Sequence, residues 1–94
     1  MSAAQSDRPI RIPIKAELDL HAFAPQDIPS VVAEYIEAAA GAGIAEIRVI
    51  HGRGRGVQRG IVQAALERHP RVVEFWDDPA AHLGATIARL GSDL

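Results

Sequence analysis

Between Ile14 and His21 apolar and polar residues alternate strictly: Ile14, Ala16, Leu18 and Leu20 fall on one side, Lys15, Glu17, Asp19 and His21 on the other. Period-two alternation predicts a strand with one face on the core and one in water. The period then changes. Ala22 to Ser30 holds two prolines, and Pro25 or Asp27 marks the first turn of a helix. Ile28, Val31, Val32, Tyr35, Ile36 and Ala39 recur at helical spacing on one face, and Gly41 and Gly43 end it. Ile44 to Ile50 is a short β-branched run that reads as a second strand.

A second helical period follows a glycine-rich stretch, with Val57, Ile61, Val62, Ala65 and Leu66 as its apolar face. Pro70 stops it, because the residue before a proline leaves helical space. Arg71 to Trp76 reads as strand three, Asp77 to Gly84 as a loop, and Thr86 to Leu90 as a short final strand. The order βαβαββ predicts an α/β domain of the α+β two-layer kind, a small mixed four-stranded sheet with two helices on one face. Residues 1–13 are polar at their start and are expected to form a disordered arm, leaving 14–94 as the single domain.

Composition narrows this little except in one place. Ninety-four residues suffice for one core with little surplus stability. The absence of cysteine excludes disulfides, thiolate nucleophiles and Cys-type zinc sites, and fits a cytoplasmic setting. No apolar run reaches membrane-span length, and Met1 to Ile12 has no signal-peptide core, so no membrane association is expected. Net charge is −2, which does not describe a general nucleic-acid binder. Yet Ile47 to Gly60 holds Arg48, Arg53, Arg55 and Arg59 and no acid, while the other eighty residues carry six basic groups against twelve acids. Such asymmetry focuses an anionic ligand on one site. The bland alternative is a solvated arginine-rich loop.

The centre of that segment is Ile50-His51-Gly52-Arg53-Gly54-Arg55-Gly56. Alternating glycines let backbone approach a ligand and take positive φ. A helix beginning just beyond points its free N–H groups at an anion. The arginines add forks that match phosphate oxygens.

Three segments together resemble one family. Leu18-Asp19-Leu20-His21, His51-Gly52-Arg53-Gly54 and Gly84-Ala85-Thr86 look like the signature segments of the Smr (small MutS-related) domain, in order and at fitting separation, over about Lys15 to Leu90. The resemblance implies a fold like the C-terminal domain of a translation initiation factor. It also implies that the Asp-x-His and His-Gly-x-Gly segments meet on one rim of the sheet as a nucleic-acid and cleavage surface. That carries over to Asp19, His21, His51, Gly52, Arg53 and Gly54. Two departures stand out: Ala22 follows the first histidine where many members have glycine, and Ala81-His82-Leu83 replaces a glycine-rich lead into the third segment.

Roles follow, each with its competitor. Asp19 and His21 lie two apart and share a face, with His21 as general base or acid and Asp19 orienting an imidazole or holding a cation; alternatively they only fix the strand end. His51 donates to a phosphate or protonates a leaving oxygen, or else pins the loop by bonding a carbonyl. Arg53 and Arg55 are the foremost phosphate contacts, with Arg59, Gly52, Gly54, Gly56, Gly84 and Thr86 completing the binding set. Arg48 is expected to lie across the sheet surface. Phe75 and Trp76 point to opposite faces, one into the core and the other open to base stacking. His69 is a favourable charge at a helix end.

Three functions compete. The first is an endonuclease on RNA or structured DNA. RNA needs no metal because its 2′-hydroxyl attacks, whereas DNA requires water and favours Mg²⁺ or Mn²⁺ at Asp19. The second is a module that grips the phosphate backbone without cutting. The third is a dinucleotide site on Gly52, Gly54, Gly56 and Gly60 with Asp77, disfavoured because the glycine spacing is not G-x-G-x-x-G. RNA or branched DNA is the expected partner, with ribosome association left open, and the chain is expected to be a monomer or weak homodimer.

Overall fold

The structure is a computed structural model that describes residues 14–53 and 56–91. The expected N-terminal arm, Gly54, Arg55 and residues 92–94 lie outside the described residues. Strand β1 (Glu17–Asp19) leads through a 3₁₀ turn (Pro25–Asp27) into helix α1 (Ile28–Gly41), then β2 (Glu46–Ile50), α2 (Val57–Arg68), β3 (Val72–Asp77), a second 3₁₀ turn (Pro79–Ala81) and β4 (Ala85–Leu90). The predicted βαβαββ order is observed.

The sheet order is β1-β2-β4-β3. β1 runs parallel to β2, pairing Glu17 with Arg48 and Asp19 with Ile50, and β4 is antiparallel to both β2 and β3. Leu20, Ile47, Val49, Ala88 and Leu90 on one alternation of the sheet join Ile28, Val32, Ile36 and Ala39 of α1 and Val62, Ala65 and Leu66 of α2 in a single buried cluster. Each such large aliphatic side chain contributes about 1.5–3 kcal/mol on full burial. The opposite alternation (Glu17, Asp19, Arg48, Ile87, Trp76) forms the face that no helix covers.

The local signals act as the sequence predicts. Pro25 and Pro29 open the two successive helical segments. Gly43, at φ +82°, turns the chain out of α1 while Gly43 N and Ile44 N cap the carbonyls of Ala40 and Ala39. α2 ends at Arg68, and His69 is already extended ahead of Pro70. Three expectations are corrected. Strand one is shorter than Ile14–His21, and Ile14 and Ala16, ahead of its first residue Glu17, are exposed. Val57, the first residue of α2, is 62% exposed. His69 is no bare helix-end charge: its Nε2 lies 3.1 Å from Glu37, tying α2 to α1.

Tyr35 fastens the approach to β1. Its hydroxyl donates to the Lys15 carbonyl, and burial, followed by the charge of Glu17, pushes its ionisation up to about 12. Phe75 packs on the core while Trp76 is partly exposed on the open face, as their alternation predicts. Among the described residues no helix is long and apolar enough to cross a membrane.

Candidate nucleic-acid interface

Parallel β1 and β2 put their carboxyl ends on one rim, and antiparallel β4 begins on that same rim. The three sequence segments therefore converge: Asp19–His21 after β1, His51–Arg53 after β2, and Gly84 before β4.

Asp19 Oδ1 accepts from the His21 backbone N–H at 2.9 Å and from His21 Nδ1 at 2.5 Å. A carboxylate only accepts, so His21 Nδ1 carries a proton, and in the neutral ring the lone pair is on Nε2. The backbone bond from His21, then its side-chain bond, hold the Asp19 carboxyl below the usual carboxylate range. The His21 side chain is 72% exposed. Its Nε2 lies 4.0 Å from where a Cβ on Gly52 would sit, so the first and second segments are in contact range.

His51 is the opposite case. It is 4% exposed, and both ring nitrogens have protein partners: Nδ1 with the Gly52 carbonyl at 2.9 Å and Nε2 with Thr86 Oγ1 at 2.9 Å. The carbonyl only accepts, so Nδ1 donates and the Thr86 hydroxyl donates to Nε2. The loop-pinning alternative describes His51; it presents no free nitrogen to a ligand. Thr86, expected to bind, is fully buried and also accepts from Gln63 Nε2 at 3.1 Å. The same Gln63 nitrogen donates to Asp77 Oδ1 at 3.0 Å.

Gly84 docks one loop on another. Its carbonyl accepts from His51 N at 3.0 Å and Gly52 N at 2.9 Å. A Cβ there would meet the Ala81 carbonyl at 3.0 Å and Arg53 Cγ at 3.3 Å, a tight fit in which those neighbours would have to give by a few tenths of an ångström. Gly52 and Gly56 take φ of +83° and +79°, the conformational freedom expected of them, with Gly56 capping α2.

The arginines divide. Arg59 gives both Nε and Nη2 to the Asp77 carboxylate at 2.8 and 2.7 Å, which raises its own proton affinity and lowers that of Asp77. These two bonds clamp α2 to β3. Arg48 lies across the open face as expected, donating to Asp78 at 2.5 Å and Glu17 at 2.6 Å. Of the four arginines, exposed Arg53 stands at the rim, and Arg55, like Gly54, lies outside the described residues. Sequence reasoning missed Gln63, Asp77 and Asp78 as parts of this architecture. The signal was there: Arg59 and Gln63 are four apart on one helix face, ahead of an acid pair closing the next strand.

A divalent cation is poorly served. One Asp19 oxygen already takes two hydrogen bonds from His21, and among the described residues no three His, Asp or Glu side chains gather as a metal site.

Comparison with known proteins agrees with this geometry. The Smr domain family model matches residues 18–90. The chain is 41% identical over 79 residues to endonuclease MutS2 of Shouchella clausii and 37% identical over 79 residues to that of Halalkalibacterium halodurans. Each alignment covers 82% of this chain and 10% of the relative, so the chain spans a small part of those proteins. The crystal structure of the Smr domain of Thermus thermophilus MutS2 superposes with a TM-score of 0.74 at 32% identity, covering 79% of this chain and 95% of that one. YdaL of Escherichia coli, a stand-alone small MutS-related protein, shares the fold, with a TM-score of 0.76 at 23% identity over 87% of this chain and 69% of its own. On its motifs, its fold and a family match over residues 18–90, the chain belongs to the Smr domain family.

Proposed function

We propose that the chain binds nucleic acid along the rim formed by Asp19, His21, Gly52 and Arg53, and cleaves or nicks RNA or structured DNA there. The observation that carries this reading is the exposed His21 imidazole, oriented by Asp19 through Nδ1 with Nε2 turned toward the glycine loop. The endonuclease names of the MutS2 relatives support it. On RNA, Nε2 takes the 2′-hydroxyl proton as that oxygen bonds to phosphorus. The bond to the 5′-oxygen breaks, and this oxygen takes a proton from water. Arg53 and Arg55 neutralise the charge gathering on the phosphoryl oxygens. The products are a cyclic phosphate and a 5′-hydroxyl. On DNA the same nitrogen accepts the proton of a water whose oxygen bonds to phosphorus, while the bond to one ester oxygen of the backbone breaks and that oxygen takes a proton from water.

His51 has no chemical step in this scheme; buried, it holds the loop. The test incubates wild type, His21→Ala and His51→Ala with end-labelled structured RNA, ribosomal RNA included, and branched DNA, with and without EDTA. We expect His21→Ala to lose at least about 100-fold in cleavage, the usual worth of acid–base catalysis, with binding kept. Undiminished cleavage by His21→Ala overturns the assignment.

Binding without cleavage is the second reading, favoured by the burial of His51, which leaves His21 as the open imidazole of the two motif histidines. It predicts salt-sensitive affinity whose log–log slope falls by about 2 in the Arg53→Ala, Arg55→Ala double variant, with no product formed by any protein.

A further inference from the structure

We propose that Gln63 and Asp77 are positioning residues for the glycine loop, acting on it through Thr86 and His51. The inference rests on the reading of that loop as the contact surface, and extends it to residues that touch no ligand.

The observation is a continuous run of hydrogen bonds from helix α2 to the loop, its sense set by two groups that only accept, the Asp77 carboxylate at one end and the Gly52 carbonyl at the other. Asp77 accepts only, and Arg59 keeps it charged by donating to both of its oxygens. Gln63 must therefore turn its NH₂, not its carbonyl, toward Asp77 Oδ1. The same nitrogen faces Thr86 Oγ1 at 3.1 Å, so Thr86 accepts there and its own proton is directed elsewhere. The other partner of that hydroxyl is His51 Nε2 at 2.9 Å. A lone pair on Nε2 leaves the proton on Nδ1, where the Gly52 carbonyl receives it at 2.9 Å. The Gly52–Arg53 peptide is thereby fixed in orientation, just ahead of the exposed Arg53 side chain.

Thr86 is fully buried and His51 nearly so, and no buried side-chain nitrogen or oxygen among the described residues lacks a partner. A polar chain in such surroundings is expensive when broken, because each freed group loses water and partner alike. Packing alone does not require it: a methionine at 63 and a valine at 86 fill the same space. What the polar atoms add is one tautomer of His51 and one orientation of the Gly52–Arg53 peptide.

The experiment records long-range ¹H–¹⁵N correlations of the histidine rings in wild type, Gln63→Met, Thr86→Val and Thr86→Ser, alongside affinity for a structured RNA. Wild type should show His51 protonated on Nδ1. Gln63→Met and Thr86→Val should shift it toward a tautomer mixture while the sheet amides stay dispersed, and should weaken RNA binding about three- to tenfold, the worth of one net hydrogen bond. Thr86→Ser, which keeps the hydroxyl, should retain both wild-type signals. An unchanged His51 tautomer in Gln63→Met and Thr86→Val overturns the proposal. A changed tautomer with RNA affinity intact upholds the positioning chain and overturns the loop as contact surface, so the two failures are distinct. If Gln63→Met does not fold, the comparison of Thr86→Val with Thr86→Ser decides alone.

Discussion

His82 and Leu83 hold φ of +50° and +70°, the left-handed region that costs an L residue about 1–2 kcal/mol. They occupy the lead into Gly84 where many Smr domains are glycine-rich, so the loop keeps a glycine-like path without the glycines. Leu83 is 53% exposed and buries little in return. Leu83→Gly should therefore stabilise the domain by up to about 1 kcal/mol, the relieved strain less the added chain entropy, seen as a raised urea midpoint at unchanged slope. The two motif histidines make a parallel case. Their roles were open in the sequence because each follows a strand, but one cue separates them. Ile47, Val49 and His51 share one alternation and hence the core side, whereas His21 stands in register with Glu17 and Asp19 on the open side. The strand period carried the answer. What it did not carry is the partner of His51 on another strand, since Thr86, itself bonded by Gln63, reaches it only through the fold.

Consecutive Asp77 and Asp78 at the end of β3 point to opposite faces, and each ties a different element to the sheet: Asp77 holds α2 through Arg59, and Asp78 holds β2 through Arg48. The partner arginine is the first cause lowering each carboxyl, and for Asp78 the Ala80 N–H adds to it. A depressed folded-state value means stability fully present above the unfolded value of 3.8 and lost as pH falls through the folded one. Urea midpoints should thus fall between about pH 5 and pH 2, and the slope should flatten in the Asp77→Asn, Asp78→Asn double variant. Identical profiles would mean that the two clamps do not distinguish folded from unfolded chain. At this scale the sequence is most legible. Element order, the apolar face of α1 and the Pro70 stop follow from spacing and backbone chemistry. The misplaced residues, Ile14, Ala16 and Val57, all sit at or just outside element ends, where the periodicity persists and the burial does not.

The whole molecule rests on one small core, with total stability of about 5–15 kcal/mol expected for a domain of this kind. Ile36 is fully buried between α1 and the sheet, and Ile36→Ala should cost about 2–5 kcal/mol by guanidinium denaturation, enough to leave the domain marginal. Sheet order adds a consequence in time. β4 is the last strand along the chain, yet it lies between β2 and β3, which share no ladder of their own. A nascent chain emerging as far as Asp77 has made three strands and can join only β1 to β2. The hydrogen-bonding edges of β2 and β3 stay bare until Ala85–Leu90 arrives between them. Gly84 and Thr86, which complete the rim, arrive with it, so the rim and the closed sheet come into being together.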